Sequence, residues 1–346
     1  MSRTAAPLIG ATALADWLRA GGRPTVQPFG HGARLRWNSY WFERNWRTSL
    51  QRFATVELPA DPVFILGLWR SGTTVLHELL TACTQWATPR TWQCFNPSTC
   101  FLTAAPARAA SVDRPMDQGQ IATHSPQEDE FALLLLGECS AYRAFIDPRR
   151  LGECADSLWS SRAQALPRWQ DFLRGVTAQA GAGRLLLKSP GHTFRLPMLR
   201  AAFPRARFIW IGRHTGEVLA SNVKMWTAMI ARYALWESPS GALQEFLDRA
   251  LRIYARVLEE CLEVIPREQL LWVDFDELRS EPGKLLHRVL DFIDPALGAN
   301  AETNIRQALV RQPVHTGTRA AMPAGNAVER VEVRIQAARQ RFGQAC

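Results

Sequence analysis

No run of eighteen or more apolar residues occurs in this 346-residue chain, so a membrane-spanning helix is not expected. Met1 to Leu18 is apolar only in patches and lacks the compact core of a secretory signal. There is no C-x-x-C pair and no Cys/His metal spacing, so no metal is expected. The seven cysteines are an odd, dispersed set, which fits reduced thiols in the cytoplasm rather than a disulfide framework. Repeats and low-complexity tracts are also missing, which excludes a solenoid. What is present is a 47% hydrophobic chain, enough for one large α/β domain with insertions or for two small domains. The net charge of +9 is mostly arginine. It would attract nucleic acid, an anionic membrane or a polyanionic small molecule, without choosing among them.

The chain is organised around Asp61 to Leu80. Val63 to Leu66 is a short continuous apolar run, the pattern of a strand covered on both faces. Gly67 and Gly72 bracket a tight loop, and Thr73 and Thr74 open an apolar helix. Such a loop aims backbone N–H groups and the positive end of a helix dipole at one spot, which makes an anion site. Gly67, Gly72 and Thr74 fit the nucleotide-binding P-loop spacing, but Thr73 stands where that motif has lysine. This argues against an ordinary ATPase or kinase. A cation sits inside the loop instead, Arg70, followed by Ser71.

The wording Arg70-Ser71-Gly72-Thr73-Thr74 resembles the 5′-phosphosulfate loop of sulfotransferases that use 3′-phosphoadenylyl sulfate (PAPS). The arginine form is similar to the branch containing tyrosylprotein sulfotransferases and many bacterial enzymes. A second match stands farther along. The apolar strand Arg207 to Ile211 runs into Gly212-Arg213-His214-Thr215-Gly216-Glu217, with Ser221 on the helix that follows. An arginine at a strand end and a serine on the next helix resemble the family's 3′-phosphate site. Arginine offers planar, paired donors to a phosphate, and the hydroxyl adds one more. Between the two motifs, Arg184 to Lys188 reads as another buried strand, with Lys188 at its C-terminal end, where open α/β sheets bind ligands. The resemblance places the family's catalytic lysine on Lys188. It also implies that Phe275, after a strand at Gln269 to Val273, offers its ring to the adenine, and that Arg319 belongs to a loop, Gln312 to Asn326, that closes over the nucleotide.

The base that activates the acceptor is open at this point. Family members of the arginine type often carry an acid near Arg90-Thr91-Trp92-Gln93, but Gln93 takes no proton. Candidates are Glu128, Glu130, His124, His192 and His77, the last as readily a core residue. Ser125, Pro126 and Glu128 also read as a helix start with a capping box, the helix running through Phe131 to Leu136. Leu158 to Gln179 and Phe194 to Ala202 read as single helices, and Ala11 to Ala20 as a short one. Arg34 to Thr55 mixes arginine with tryptophan. Its near-helical apolar spacing favours a helix packed on the core, with peripheral membrane contact left open.

The pattern as a whole predicts an α/β fold: a P-loop-like parallel sheet flanked by helices, with an N-terminal helical extension. The division expected is residues 1–60 for the extension and 61–346 for the α/β domain. The resemblance implies sulfuryl transfer from PAPS to a hydroxyl or amine of a small molecule, peptide or carbohydrate, with release of PAP and no metal or nucleic acid. The rival readings are an ATP-using P-loop-like transferase and a basic membrane or nucleic-acid binder.

Overall fold

The apolar runs assemble into one sheet because each must cover two faces. The computed structural model describes residues 31–107, 110–114, 120–160, 166–181, 183–311 and 326–343, with positions 31–40, 112, 262, 326 and 327 described as backbone only. The strands among these are β1 (Val63–Leu66), β2 (Ser111–Asp113), β3 (Gln120–Ala122), β4 (Leu186–Lys188), β5 (Arg207–Gly212) and β6 (Leu270–Asp274). β2 and β3 pair antiparallel with each other. The other four form a parallel sheet in the order β4–β1–β5–β6. Ile65 lies opposite both Lys188 and Ile209, and Gly212 opposite Asp274. Leu66, Lys188, Gly212 and Asp274 therefore end at one edge. The chain winds from β1 to β4 on one side, then crosses to β5 on the other. That reversal is where open sheets bind ligands.

Both faces of the sheet are covered. Val63, Ile65, Ile209 and Ile211 pack on helices Thr73–Cys83 and Pro282–Ile293 through Leu76, Leu80, Leu286 and Val289. Each such side chain contributes about 1.5–3 kcal/mol by leaving water. On the opposite face Phe64 stacks on Phe208 at 5.7 Å and lies against Phe203, while the Trp210 indole N–H donates to the Tyr254 hydroxyl at 2.8 Å.

The chain divides into two compact units. Among the described residues, one comprises those within 31–58, 89–181 and 223–246; the other comprises those within 59–88, 183–222 and 247–343 and holds the four-stranded sheet. In the first, helix His31–Phe53 buries Trp46, Ser49 and Phe53 and leaves Arg44, Arg47 and Arg52 exposed. Phe53 meets Phe101 edge-on at 5.1 Å, and Arg168 pairs with Glu43 at 2.9 Å. The same unit has an aromatic core in which Tyr142, Phe145, Trp226 and Phe246 follow one another at centroid distances of 4.5–6.2 Å.

Several local expectations are corrected. The helix expected from Ser125 spans Glu130–Leu135, because Pro126 bridges to Arg90 and the Gln127 amide donates to Pro89 O at 2.9 Å, which holds that segment extended. The Ser125 hydroxyl accepts from the Ala122 amide rather than capping a helix. Leu158 to Gln179 is not one helix: Leu151–Ser160 ends and Pro167–Ala180 begins anew with proline in its first turn. Phe194 to Ala202 likewise becomes Pro190–Phe194 and Leu196–Ala202, since the Ser189 hydroxyl accepts from the Gly191 amide at 3.0 Å and starts the first. Gly181, in the left-handed region at φ 60°, stops Pro167–Ala180. The Ala11–Ala20 helix, Arg319 and the loop carrying it lie outside the described residues. No disulfide links the described cysteines, and burial pushes the Cys83 thiol up to about 11.

Candidate active site

Within the sheet-bearing unit, the loop after β1 is shaped by three positive φ angles: Gly67 at 149°, Arg70 at 71° and Gly72 at 106°. Glycine is needed at Gly72 for two reasons. Its φ is one that L-residues avoid, and a Cβ there would sit 2.4 Å from the Phe275 ring. Gly72→Ala is expected to lower unfolding stability by about 1–3 kcal/mol. An unchanged melting curve would mean that the loop is not held in this shape.

The loop is braced from a distance. The Gly67 amide donates to Thr193 Oγ1 at 2.9 Å, and the Thr193 hydroxyl donates back to Gly67 O at 3.0 Å. Asn222 Nδ2 donates to Trp69 O at 2.8 Å. Ser71 turns inward: its amide and its hydroxyl both donate to Leu68 O, at 3.2 and 2.8 Å. The helix Thr73–Cys83 starts immediately afterwards, and the Leu76 amide is the donor to Gly72 O. The amides of Gly72, Thr73 and Thr74 thus lie in the turn that has no intrahelical acceptors, at the positive dipole end.

Lys188 closes β4 and is only 2% exposed. Its Nζ reaches the Thr74 hydroxyl at 3.3 Å, so the ammonium is directed at the first turn of the loop helix.

Arg213 follows β5. Its Nε and Nη2 donate to Glu217 Oε2 at 3.0 and 2.9 Å, and its Nη1 is 3.4 Å from Arg70 O. The guanidinium lies over the Phe275 ring at 4.5 Å. Arg70 Nε in turn donates to Ser221 Oγ at 3.0 Å. The two motifs, far apart in sequence, are therefore joined atom to atom in one unit, with Phe275 against both Gly72 and Arg213. Glu217 was legible in principle, since an acid four residues from an arginine at a helix start is a common pair. Thr193 and Asn222 had no local signal.

Of the base candidates, His192 belongs to this same unit. It is fully buried, edge-on to Phe64 at 5.7 Å. His77 is also buried, with Nε2 2.7 Å from Thr88 Oγ1. The others belong to the first unit. His124 is exposed, its Nε2 2.8 Å from Pro106 O. Glu128 is half-buried and accepts a 2.6 Å hydrogen bond from the Tyr142 hydroxyl. Glu130 is 1% exposed at the start of its helix, and Asp129 accepts from the Trp169 indole at 2.6 Å. Gln93 accepts from the Arg90 amide at 2.8 Å and donates to Gln179 at 2.7 Å, so it caps the short helix Thr91–Cys94. Among the described residues, no group of His, Cys, Asp or Glu side chains is arranged to hold a metal ion.

Comparison with known proteins bears on the family and the fold. The profile described as the sulfotransferase family matches residues 62–297. Omega-hydroxy-beta-dihydromenaquinone-9 sulfotransferase Stf3 of Mycobacterium bovis and of Mycobacterium tuberculosis are each 30% identical over 253 residues, 69% of this chain and 64% of theirs. The matched part thus spans less than two thirds of those relatives. In solved structures, sulfotransferase STF9 from Mycobacterium avium superposes with a TM-score of 0.70 at 20% identity, covering 98% of this chain and 92% of that one. STF1 from Mycobacterium tuberculosis H37Rv gives 0.59 at 18% identity, covering 94% and 90%. At these identities the structures establish the fold.

Proposed function

Because the chain belongs to the sulfotransferase family, we propose that it transfers a sulfuryl group from PAPS to an acceptor hydroxyl and releases PAP. The observation carrying this reading is the junction of the Gly67–Thr74 loop with Arg213 through Arg70 and Phe275. A nucleotide phosphorylated at both ends needs two cationic corners on one sheet edge. The amides of the Arg70–Thr74 loop, apart from that of Ser71, which donates to Leu68 O, hold the 5′-phosphosulfate, and Arg213 with Ser221 holds the 3′-phosphate. Phe275 presents an apolar ring beside them for the base. These donors match the anionic groups of PAPS, and the reading needs no metal. The named relatives are omega-hydroxy-beta-dihydromenaquinone-9 sulfotransferases, and we extend to this chain a hydroxyl acceptor of the small-molecule class.

The transfer is in line. The acceptor oxygen bonds to sulfur while the bond from sulfur to the bridging phosphate oxygen breaks, and that electron pair leaves with PAP. The acceptor proton goes to a general base, for which the sequence offers Glu128, Glu130, His124 and His192. Lys188 balances the charge that grows on the leaving oxygen. Most of the rate effect is positioning and electrostatics, as for phosphoryl groups.

The test is calorimetric titration with PAP and, separately, with ATP. PAP should bind tightly, ATP weakly, and Arg213→Ala should weaken PAP by about 30-fold or more, the cost of removing a partly buried phosphate partner. Tighter binding of ATP than of PAP would replace this reading with a nucleoside-triphosphate enzyme.

A further inference from the structure

The helix Asn326–Phe342 lies beyond residue 297, where the match to the family profile ends. Val331, Ile335, Ala338 and Phe342 are buried, at the spacing of one helical stripe. The helix packs along β6, the strand at one edge of the parallel sheet, and covers that edge. Its far end is tied down by Arg288, whose Nη1 donates to Gly343 O at 2.9 Å and whose Nη2 donates to Glu277 Oε2 at 2.6 Å.

Two side chains of this helix, two turns and about 10 Å apart along its axis, reach the chain on either side of the Arg213–Phe275 contact. Glu332 Oε1 accepts from the amide of Thr215, two residues after Arg213. Arg339 Nη2 donates at 2.7 Å to Oδ1 of Asp274, one residue before Phe275. Thr215 opens the helix Thr215–Tyr233, and its amide has no acceptor within that helix. A carboxylate there makes a charge-assisted bond at the positive end of the dipole. Asp274 lies opposite Gly212 in the register of β5 and β6. One helix thus fixes the exits of two neighbouring strands, and those exits carry Arg213 and Phe275.

We propose, resting on the donor reading given above, that Glu332 is a positioning residue for the 3′-phosphate. It holds the Thr215 amide and so sets the backbone from which Arg213 meets the phosphate, without itself touching the nucleotide. A carboxylate repels a phosphate, so its contribution is geometry and not attraction. Arg339 is the lesser support, because its side chain is 42% exposed and such a pair is well screened.

The experiment titrates PAP and adenosine 5′-phosphate calorimetrically into the full-length protein and its Glu332→Ala and Glu332→Gln variants. Glu332→Ala should weaken PAP by about tenfold, the loss of one hydrogen bond to a charged group, and leave adenosine 5′-phosphate within about twofold. Glu332→Gln keeps an oxygen for the Thr215 amide and should hold PAP within about threefold of wild type. Equal losses for both nucleotides would make Glu332 a residue of the fold alone, and would overturn the proposal while leaving the donor reading standing. Unchanged PAP affinity in Glu332→Ala, or a glutamine variant as weak as the alanine one, would overturn it as well. A wild type with no preference for PAP would overturn both. Thermal melts identify a misfolded Glu332→Ala. In that case Glu332→Asp, which keeps the charge but falls one methylene short of the amide, carries the same comparison.

Discussion

Lys188→Ala should lower turnover by about 10²–10³-fold, the typical loss when one preorganised donor is removed from a site of developing charge. PAP affinity should change by less than about fivefold, because Lys188 acts on charge that grows only as sulfur leaves. The expectation comes from its place. It ends the β4 strand, is 2% exposed, and reaches Thr74 at the turn assigned to the transferring group. Lysine occurs only three times in the chain, so a buried one at a strand end is a specific choice over the abundant arginine. Its compact ammonium suits a single oxygen better than a broad guanidinium would. Single-turnover rates and calorimetry separate the two quantities. Wild-type turnover in the variant would remove Lys188 from the mechanism, and a matching collapse of PAP affinity would make it a binding residue instead.

If Glu128 is the general base, Glu128→Gln should reduce turnover by about 10²–10⁴-fold. Glutamine keeps the oxygen that accepts from the Tyr142 hydroxyl, so stability and PAP affinity should hold. Asp129→Asn is the contrast. Asp129 is fully buried against the Trp169 indole, so its loss should appear as a lower melting temperature. Glu130→Gln tests the remaining carboxylate of the triplet. If it abolishes turnover while Glu128→Gln does not, the base moves two residues along the chain.

How much of this could be read without coordinates varied with the range of the interaction. The parallel strands were legible because apolar runs of four to six residues ending in Gly67, Lys188 or Arg213 follow from covering two faces of a sheet. The candidate site was legible where its chemistry is carried by short words, such as Arg70 to Thr74 and Arg213 to Ser221. The helix starts were read less well. Ser125-Pro126 has every mark of a cap, yet pairing with Pro89 and Arg90 outweighs local propensity. Gln93 looked like a missing acid, whereas its amide closes a helix turn and bonds to Gln179. The bond from Arg70 to Ser221, 151 residues away, had no sequence mark. Tyr142, which holds Glu128, has no sequence mark that separates it from any other core aromatic.

The braces of the anion loop carry a consequence for how the protein is made. Thr193 lies 126 residues beyond the glycine it clamps, Ser221 lies 151 beyond Arg70, and Asn222 lies 153 beyond Trp69. During synthesis at about 5–20 residues per second, the loop emerges from the ribosome many seconds before any of them. Until then the loop lacks the Ser221, Thr193 and Asn222 contacts that brace its shape. A nascent chain stalled before Asn222 should therefore be blind to the nucleotide, and the capacity to bind it should arrive late and in a single step.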